Sequence, residues 1–380
     1  MGPLQMVDLK RQYLKIKPQI DAAIANVIDN TAFINGPDVK LFAQELQDYL
    51  QVKHVIPCAN GTDAIQIALM ALGLKPGDEV ITPSFTYIAT VEVVALLGLK
   101  PVFVEVDEAT FTMTPESLKA AITAKTKAII PVHLYGQSAA MKEILDIATA
   151  HNIPVIEDTA QAIGGTYTFP DGTKKMNGTM GTIGTTSFFP SKNLGCYGDG
   201  GAIFTNDDVL AEKLSMIANH GQKVKYYHDM VGCNSRLDTI QAAILRIKLK
   251  ELDGYCDARR AAADYYDNAF ASHANIVTPA RATYSHHVYH QYTLQLNNVN
   301  RDKVQEKLTE RGIPSMIYYP VPSHKQKMFD GIDMEQVELA TTDYLNKRVI
   351  SLPIHTEMTE EELAFITKNF IEVMDELKED

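Results

Sequence analysis

The chain has 380 residues, of which 46% are hydrophobic and 22% charged, as in an ordinary soluble globular protein with a large and a smaller domain. Its net charge of −12 argues against a nucleic-acid partner, because binding a phosphate backbone needs a basic surface. No apolar run approaches the roughly 20 residues of a membrane span, and the first residues lack the pattern of a signal peptide. We therefore expect a cytoplasmic protein with no membrane partner.

Short β-type runs alternate with helical stretches from about residue 55 onward. The predicted strands are Val55–Cys58, Glu79–Thr82, Pro101–Val106, Lys127–Val132, Ile153–Glu157, Thr185–Phe189, Ala202–Thr205, Gln291–Leu296 and Ser315–Tyr319. The predicted helices are Asp63–Leu72, Tyr87–Leu97, Thr114–Ala124, Ala139–His151, Asp208–Asn219, Arg236–Phe270, Asp302–Arg311 and Glu360–Leu377. This alternation, with continuous apolar strands, predicts an α/β fold whose mostly parallel sheet is buried on both faces. We expect residues 1–250 to form a large domain and residues 251–380 a smaller α/β domain.

Two groups of metal-binding residue types do not form a recognisable metal site. The four cysteines are Cys58, Cys196, Cys233 and Cys256. They are far apart in sequence and form no C-x-x-C pair, which favours reduced thiols over disulfides or a zinc site. The segment His286-His287-x-x-His290 has no acidic or thiol ligand evident nearby. We interpret it as a sheet edge or the rim of a substrate site, with no metal bound.

A carboxylate ends the buried run Ile153–Asp158. Open α/β folds bind ligands at the carboxyl ends of their strands, so Asp158 is placed where a ligand would lie. An Asp in that place can keep a pyridine nitrogen protonated, which turns the ring into an electron sink. Taken alone, however, Asp158 is better explained as the N-cap of a following helix.

Lys192 follows two aromatic residues and a proline in the segment Thr186–Ser191, which is unusual because lysine normally lies on a solvated face. A lysine emerging from a buried strand would be desolvated, and its lowered pKa would make it a competent Schiff-base nucleophile. Ser187 and Ser191 could offer hydroxyl groups to a phosphate on the same face. The alternative is a surface turn, which the glycine-rich residues that follow would permit.

Two further strand ends carry residues that could bind a ligand. At Cys58–Asp63 a strand turns into a helix, and the N–H groups of Gly61 and Thr62 would form an anion site at the helix N-terminus. The alternative is that Thr62 or Asp63 only caps the helix. Thr82–Tyr87 repeats the strand-end pattern with aromatic rings that could stack on a flat ligand, although aromatic residues are more often part of the core.

Together these motifs resemble the DegT/DnrJ/EryC1/StrS family of sugar aminotransferases. The matching segments are Cys58–Ala64, Asp78–Pro83, Val155–Gln161, Ser187–Gly195, Gly198–Ala202 and Gly232–Arg236. The similarity extends from Asp8 nearly to the C-terminus. It implies a pyridoxal-phosphate-dependent transferase of fold type I, the aspartate-aminotransferase fold.

The resemblance implies a role for each matching position around the ring of pyridoxal 5'-phosphate. Lys192 matches the lysine that holds the cofactor covalently and then moves the proton between cofactor and substrate carbons. Asp158 matches the partner of the pyridinium nitrogen, and Gln161 the residue beside the phenolic oxygen. Tyr87 matches the aromatic residue that stacks on the ring.

The same resemblance implies how the cofactor's phosphate is held. Gly61, Thr62 and Ser187 match the phosphate cradle. Asn234 matches an asparagine that reaches the phosphate of the neighbouring subunit's cofactor. A homodimer with shared active sites is therefore implied.

The implied reaction has two halves. Glutamate leaves its amino group on the cofactor, giving pyridoxamine phosphate, which then aminates a keto sugar carried on a nucleoside diphosphate. The loop Leu194–Ala202 is similar to that of the branch acting on 3-keto sugars, most of all on UDP-2-acetamido-2-deoxy-3-oxo-glucuronate. Those enzymes feed the synthesis of surface polysaccharide or lipopolysaccharide.

Substrate contacts follow less directly. Arg236 would pair with the uronate carboxylate in a fork geometry. Relatives of that branch carry His where this chain has Tyr318, just before Tyr319, which leaves a dTDP-linked 3-keto-6-deoxyhexose open as the substrate. Tyr227 and His228 belong to a polar aromatic loop that borders the nucleotide in the family, or else is simply solvated.

Other classes of protein fit less well. Dehydratases of this fold replace the lysine by histidine, and a non-catalytic, sugar-nucleotide-binding regulatory protein should have lost Lys192 or Asp158, yet this chain keeps both. A nicotinamide dehydrogenase should carry G-x-G-x-x-G after an early strand, and none is found. A pyridoxal-phosphate lyase or decarboxylase stays open on the cofactor motifs alone.

Overall fold

The computed structural model describes residues 2–332, 334 and 337–378. The strands in this part of the chain are β1 (His54–Cys58), β2 (Glu79–Pro83), β3 (Lys100–Val104), β4 (Thr126–Ile129), β5 (Ile156–Asp158), β6 (Thr166–Thr168), β7 (Lys174–Met176), β8 (Ile183–Ser187), β9 (Gly201–Thr205), β10 (Gln222–Val224), β11 (Tyr227–His228), β12 (Ile276–Val277), β13 (Ser285–His286), β14 (Tyr292–Leu296) and β15 (Val349–Leu352). The α-helices are α1 (Leu9–Asp29), α2 (Pro37–Leu50), α3 (Gly61–Leu72), α4 (Ala89–Leu96), α5 (Pro115–Ala121), α6 (Met141–Ala150), α7 (Asp208–Ala218), α8 (Thr239–Leu249), α9 (Leu252–Phe270), α10 (Arg301–Glu310), α11 (Ala340–Asn346) and α12 (Glu360–Glu376).

A mostly parallel sheet organises the first part of the chain. Strands β1, β9, β8 and β5 form one block, and β3, β2 and β4 form another. Parallel bridges from Ile129 to Val155 and from Val132 to Asp158 join the two blocks. The strand order is therefore β1-β9-β8-β5-β4-β2-β3, in which β9 alone runs antiparallel to its neighbours. This arrangement confirms the predicted α/β architecture.

Both faces of this sheet are covered by helices. Val80 and Ile81 are adjacent in β2 and fully buried, yet they belong to different hydrophobic cores. Successive residues of a strand point to opposite faces, so this pair requires a core on each side. Helices α3, α4 and α7 contribute to the core of Val80, and α5 and α6 to that of Ile81. Each fully buried aliphatic side chain stabilises the fold by about 1.5–3 kcal/mol.

The C-terminal part has a sheet and a core of its own. Strands β12, β14 and β15 form an antiparallel sheet, against which α9, α10 and α12 pack. The buried residues of this core lie between Ala262 and Met374, apart from Leu4 of the N-terminal segment. This agrees with a smaller C-terminal α/β unit, while the exact boundary after residue 250 stays a prediction. Within the described residues, no helix has the length and apolar character to cross a bilayer.

Two predictions differ from the structure, and one helix was not predicted. The stretch Arg236–Phe270 is two helices, α8 and α9, because Lys250 and Glu251 make tighter i→i−3 hydrogen bonds between them. The predicted strand Ser315–Tyr319 is wrong, since only Met316 makes a bridge, to Ser351 of β15. The N-terminal helix α1 (Leu9–Asp29) was not predicted as an element.

Candidate active site

A cavity of about 610 Å³ opens where β1, β5 and β8 end. It has the size of an ordinary small-molecule site. The predicted site residues that line it are Gly61, Thr62, Tyr87, Asp158, Gln161, Ser187, Lys192, Tyr318 and Tyr319. The sheet edge thus brings together side chains that the sequence separates widely, as parallel strands ending at one edge should.

Lys192 reaches this cavity through the turn that follows β8. Phe188 is fully buried and packs edge-on against Phe42, with ring centroids 5.4 Å apart, which anchors the start of the turn. The Lys192 N–H donates to the Phe189 carbonyl at 2.8 Å and closes the turn. Burial lowers the pKa of Lys192 to about 8, although the nearby Asp158 carboxylate acts in the opposite direction. The ammonium form is therefore less favoured than in a solvated lysine, which supports the desolvated-lysine prediction over a surface turn.

Asp158 ends β5 and is only 5% exposed. Its Oδ2 accepts a hydrogen bond from Thr90 Oγ1 at 2.9 Å, and its Oδ1 accepts one from the Ala160 N–H at 3.1 Å. Turn residues rather than a helix follow Asp158, so the alternative of a helix cap is wrong. A carboxylate has about four acceptor positions, which leaves capacity for a ligand donor.

Gln161 links the β5 loop to two other segments of the cavity wall. Its Oε1 accepts from the Tyr135 N–H at 2.6 Å, and its Nε2 donates to the Tyr319 hydroxyl at 3.0 Å. The rings of Tyr319 and Tyr87 lie 6.0 Å apart with a tilt of 43°. Tyr87 is 55% exposed, so it is available to a ligand, whereas Phe85 is the core residue of this loop.

The end of β1 forms an anion-binding helix start. Asn60 is the N-cap of α3, and its side chain accepts from the Asp63 N–H at 2.8 Å. The interpretation of Thr62 or Asp63 as the cap is therefore wrong. The first N–H groups of a helix have no intrahelical partner and carry partial positive charge, so those of Gly61 and Thr62 suit a phosphate.

Close backbone packing shapes this cradle. A Cβ added to Gly61 would lie 2.7 Å from Ser187 Cβ, a separation that real side chains do not adopt. A Cβ added to Gly201, at the start of β9, would lie 2.5 Å from the carbonyl carbon of Asn60. Only glycine fits at both positions, so the ends of β1, β8 and β9 can meet closely around the helix start.

Among the residues of the lining that sequence reasoning did not predict as specific contacts, two are consecutive. His290 and Gln291 are 5% and 8% exposed, and both line the cavity. Their only sequence signal was the segment of three histidines, which was interpreted as a sheet edge or a substrate rim. His286 does lie in a strand, β13, which pairs with β6, while His290 lies at the cavity.

Comparison with known proteins identifies the family. The model of the DegT/DnrJ/EryC1/StrS aminotransferase family matches residues 14–370. The chain belongs to this family. The resemblance inferred from the motifs is thereby confirmed, and with it the type I transferase fold.

Individual relatives of this aminotransferase cover almost its whole length. A UDP-2-acetamido-2-deoxy-3-oxo-D-glucuronate aminotransferase from Pseudomonas aeruginosa is 48% identical over 352 residues, covering 93% of this chain and 95% of the relative. A pleiotropic regulatory protein from Geobacillus stearothermophilus is 46% identical over 369 residues, 97% of each chain. The crystal structure of NtdA from Bacillus subtilis with bound cofactor PMP is 32% identical, with a TM-score of 0.90, covering 99% of this chain and 86% of that one.

Four predicted site residues of the aminotransferase do not line the cavity of their own chain. Tyr227 and His228 form β11 of an exposed hairpin, in which Tyr227 is 71% exposed. Asn234 is also exposed and pairs with Asn219 through an isolated bridge. Arg236 follows on the same loop and is partly buried. A role for these residues in the cavity of the same chain has no support from the geometry.

Proposed function

We propose that this aminotransferase uses pyridoxal 5'-phosphate to move the amino group of glutamate to the C3 keto group of a nucleotide-linked sugar. The observation that carries the proposal is the convergence of Lys192, Asp158 and the start of α3 in one cavity. These groups offer an amine, a carboxylate and an anion site, which are the three partners that this cofactor needs. The related structure that holds the pyridoxamine form, 32% identical, supports the same cofactor.

The residues fit the cofactor in chemistry and in shape. The N–H groups of Gly61 and Thr62 and the Ser187 hydroxyl would hold the phosphate, in a cradle too tight for a Cβ at Gly61. Asp158 would hold the pyridine nitrogen protonated, with Thr90 fixing the carboxylate. Bound in this way, pyridoxal phosphate supplies an electron sink for the bonds at the substrate carbon.

Lys192 would provide both the attachment and the proton transfer. Because burial lowers its pKa to about 8, a useful fraction of the amine is neutral near neutral pH and can act as a nucleophile. The same property lets the released amine accept a proton from substrate and return it to another carbon, since a catalytic acid–base works best near the ambient pH. Gln161 and Tyr87 would fix the orientation of the ring, through a hydrogen bond and through stacking.

The acceptor is proposed from the similarity of the motifs and of the relatives. The Pseudomonas aeruginosa relative is named for a UDP-linked 3-oxo-glucuronate, which supports amination at C3 of a nucleotide sugar and a place in surface polysaccharide or lipopolysaccharide synthesis. Tyr318 and Tyr319 line the cavity and are available to the sugar. A dTDP-linked 3-keto-6-deoxyhexose is the alternative, because the chain departs from the uronate branch at Tyr318.

We also propose that the enzyme is a homodimer whose sites are shared. The hairpin β10–β11 and the residues beside it expose large apolar side chains, including Val224 at 60%, Tyr226 at 78% and Val231 at 83%. Large apolar side chains that are exposed close together in sequence are consistent with an interaction site. In such a dimer, the exposed Asn234 and the partly buried Arg236 would reach the cavity of the neighbouring subunit.

A regulatory function without catalysis is the weaker alternative. One relative is named a pleiotropic regulatory protein. Yet Lys192 has a desolvated environment, and the Asp158 carboxylate accepts a hydrogen bond from Thr90. A protein that only binds a sugar nucleotide would need neither of these features.

An absorbance experiment tests the proposal. Purified protein is loaded with pyridoxal phosphate, and its visible band is followed before and after glutamate is added. We expect a band that glutamate removes and that Lys192→Ala lacks, while Lys213→Ala, which alters a lysine bonded to the Ala71 carbonyl of α3, retains it. A band that is absent, or unchanged in Lys192→Ala, would contradict the role of Lys192. A normal band that ignores glutamate would contradict the proposed donor.

A further inference from the structure

We infer that Gln291, with His290 beside it, binds a hydroxyl or amide N–H group of the acceptor sugar and so helps to select the sugar. This inference rests on the proposed function, since it assigns the residues that recognise the acceptor in the same cavity. Its starting point is a pair of atoms, Gln291 Oε1 and His290 Nδ1, that are buried with no hydrogen-bond partner in the described part of the chain. Native proteins leave few buried polar atoms unpaired, so two in consecutive residues of one cavity wall point to a ligand.

The backbone of this segment is held firmly before any ligand arrives. The Gln291 N–H donates to the Tyr135 carbonyl at 3.4 Å, and Arg259 Nη1 donates to the His290 carbonyl at 3.1 Å. Two residues earlier, the Val288 carbonyl accepts from Asn193 Nδ2 at 3.0 Å. The wall is therefore tied both to the turn that carries Lys192 and to the C-terminal unit, which suits a preorganised binding group.

The free atom of Gln291 selects the chemistry of its ligand. In the described part of the chain, Oε1 is the atom of the Gln291 side chain that is buried without a hydrogen-bond partner. An amide oxygen only accepts hydrogen bonds, and a carboxylate also only accepts them. The carboxylates of glutamate therefore cannot satisfy Gln291, whereas a sugar hydroxyl or an acetamido N–H can.

His290 offers the complementary pattern. Burial, with the neighbouring charges of Lys192 and Arg259, lowers the pKa of His290, which keeps the imidazole neutral. A neutral imidazole has one donor and one acceptor, the combination that a hydroxyl group matches. In the described lining of the cavity, Lys192 is the sole lysine or arginine, and it is committed to the cofactor. This wall is thus suited to neutral polar groups rather than to anions.

The two half-reactions separate acceptor recognition from the rest of the chemistry. In one series the pyridoxal-phosphate form of the enzyme is mixed with glutamate. In the other it is mixed with a UDP-linked 3-amino sugar, so that the sugar half-reaction runs backward. The rate at which the visible band disappears gives kcat/KM for each amino donor. In Gln291→Met we expect the ratio of sugar to glutamate kcat/KM to fall about tenfold, the effect of one lost hydrogen bond. Gln295→Met is the matched control, because Gln295 is equally buried but bonds the Glu108 carbonyl.

Each outcome supports the inference or overturns it. A ratio that falls in Gln291→Met and not in Gln295→Met supports it. An unchanged ratio, or a larger loss with glutamate, overturns it. If Gln291→Met does not fold, deoxy analogues of the amino sugar are tested on the wild-type enzyme. If kcat/KM falls with none of these analogues, the inference is overturned as well. Failure of the proposed function would look different, because wild-type protein would then not respond to glutamate at all.

Discussion

The wall of strand ends and the hairpin β10–β11 both carry residues predicted from resemblance to the same family, yet their surroundings differ sharply. Asp158 is 5% exposed and accepts two hydrogen bonds from its own chain. Tyr227, on the hairpin, is 71% exposed. The wall is complete within one chain because the sheet positions it. The hairpin is exposed in the single chain, which is consistent with the proposed dimer contact.

The largest effect is expected at the centre of the wall. Asp158→Asn removes the negative charge proposed to keep the pyridine nitrogen protonated, while it leaves the side chain nearly the same size. We expect kcat to fall by about 100-fold or more, as when one electrostatic group is removed from an active site. Steady-state kinetics measure this, with Asp146→Asn on the exposed face of α6 as the control. A loss of less than about threefold would show that Asp158 is not the partner of the ring.

The second test concerns the close packing of the phosphate cradle. In Gly61→Ala the new methyl would lie 2.7 Å from Ser187 Cβ, so the start of α3 or the end of β8 must move. Overpacking of this kind costs about 2 kcal/mol, and we expect the affinity for pyridoxal phosphate to fall about 30-fold. Titration of the visible band measures the Kd. Gly254→Ala in α9 is the control, because its Cβ would meet no atom within 4 Å. Unchanged affinity in Gly61→Ala would place the phosphate elsewhere.

A pH dependence tests the buried state of Lys192. The neutral amine captures the cofactor, and its pKa in the folded protein is about 8 rather than the ordinary 10.5. Below that pKa, each added pH unit gives about ten times more neutral amine, so the capture rate of the apo protein should rise about tenfold from pH 7 to 9 and level off above about 8. Stopped-flow absorbance measures the rate. A rate that continues to rise towards pH 10 would mean that the lysine is solvated.

The smallest effect is expected at the hairpin. Tyr227→Ser should change the free energy of unfolding by no more than about 0.5 kcal/mol, because the ring is exposed in the single chain. Chemical denaturation at low protein concentration measures this. The molar mass of the same variant, measured by light scattering, then tests the proposed dimer. A clearly lower free energy of unfolding of the monomeric variant would mean that Tyr227 packs against its own chain. The hairpin would then not differ from the strand ends in this respect.

Much of the sheet and of the strand-end wall could be predicted because both follow from local rules. Continuous apolar runs mark buried parallel strands, and polar residues at their ends meet at one edge, as Asp158 and Lys192 do. Helix α1 was harder to predict because Pro18 lies inside it, where proline normally ends a helix. Tyr318 was placed near the substrate by resemblance to the family, and it does line the cavity, although its segment is not the predicted strand.

His290 and Gln291 show where sequence reasoning stops. Their segment precedes β14 and is positioned by hydrogen bonds to Tyr135 and Arg259, which are remote in sequence. No spacing rule predicts such contacts. The unpaired atoms that make these residues informative are visible only once the whole fold surrounds them.

The antiparallel strand β9 also determines when the cofactor site can exist during synthesis. Cys58, just before the helix start, pairs with Gly201, so the cradle cannot close until the ribosome has released a long stretch of chain beyond α3. Contacts between residues that are distant in sequence form slowly, because closing the long loop between them costs conformational entropy. Tyr318 and Tyr319 complete the cavity later still. We therefore expect pyridoxal phosphate to enter a nearly finished protein rather than to guide the nascent chain, so apo protein should accumulate folded when the vitamin is scarce.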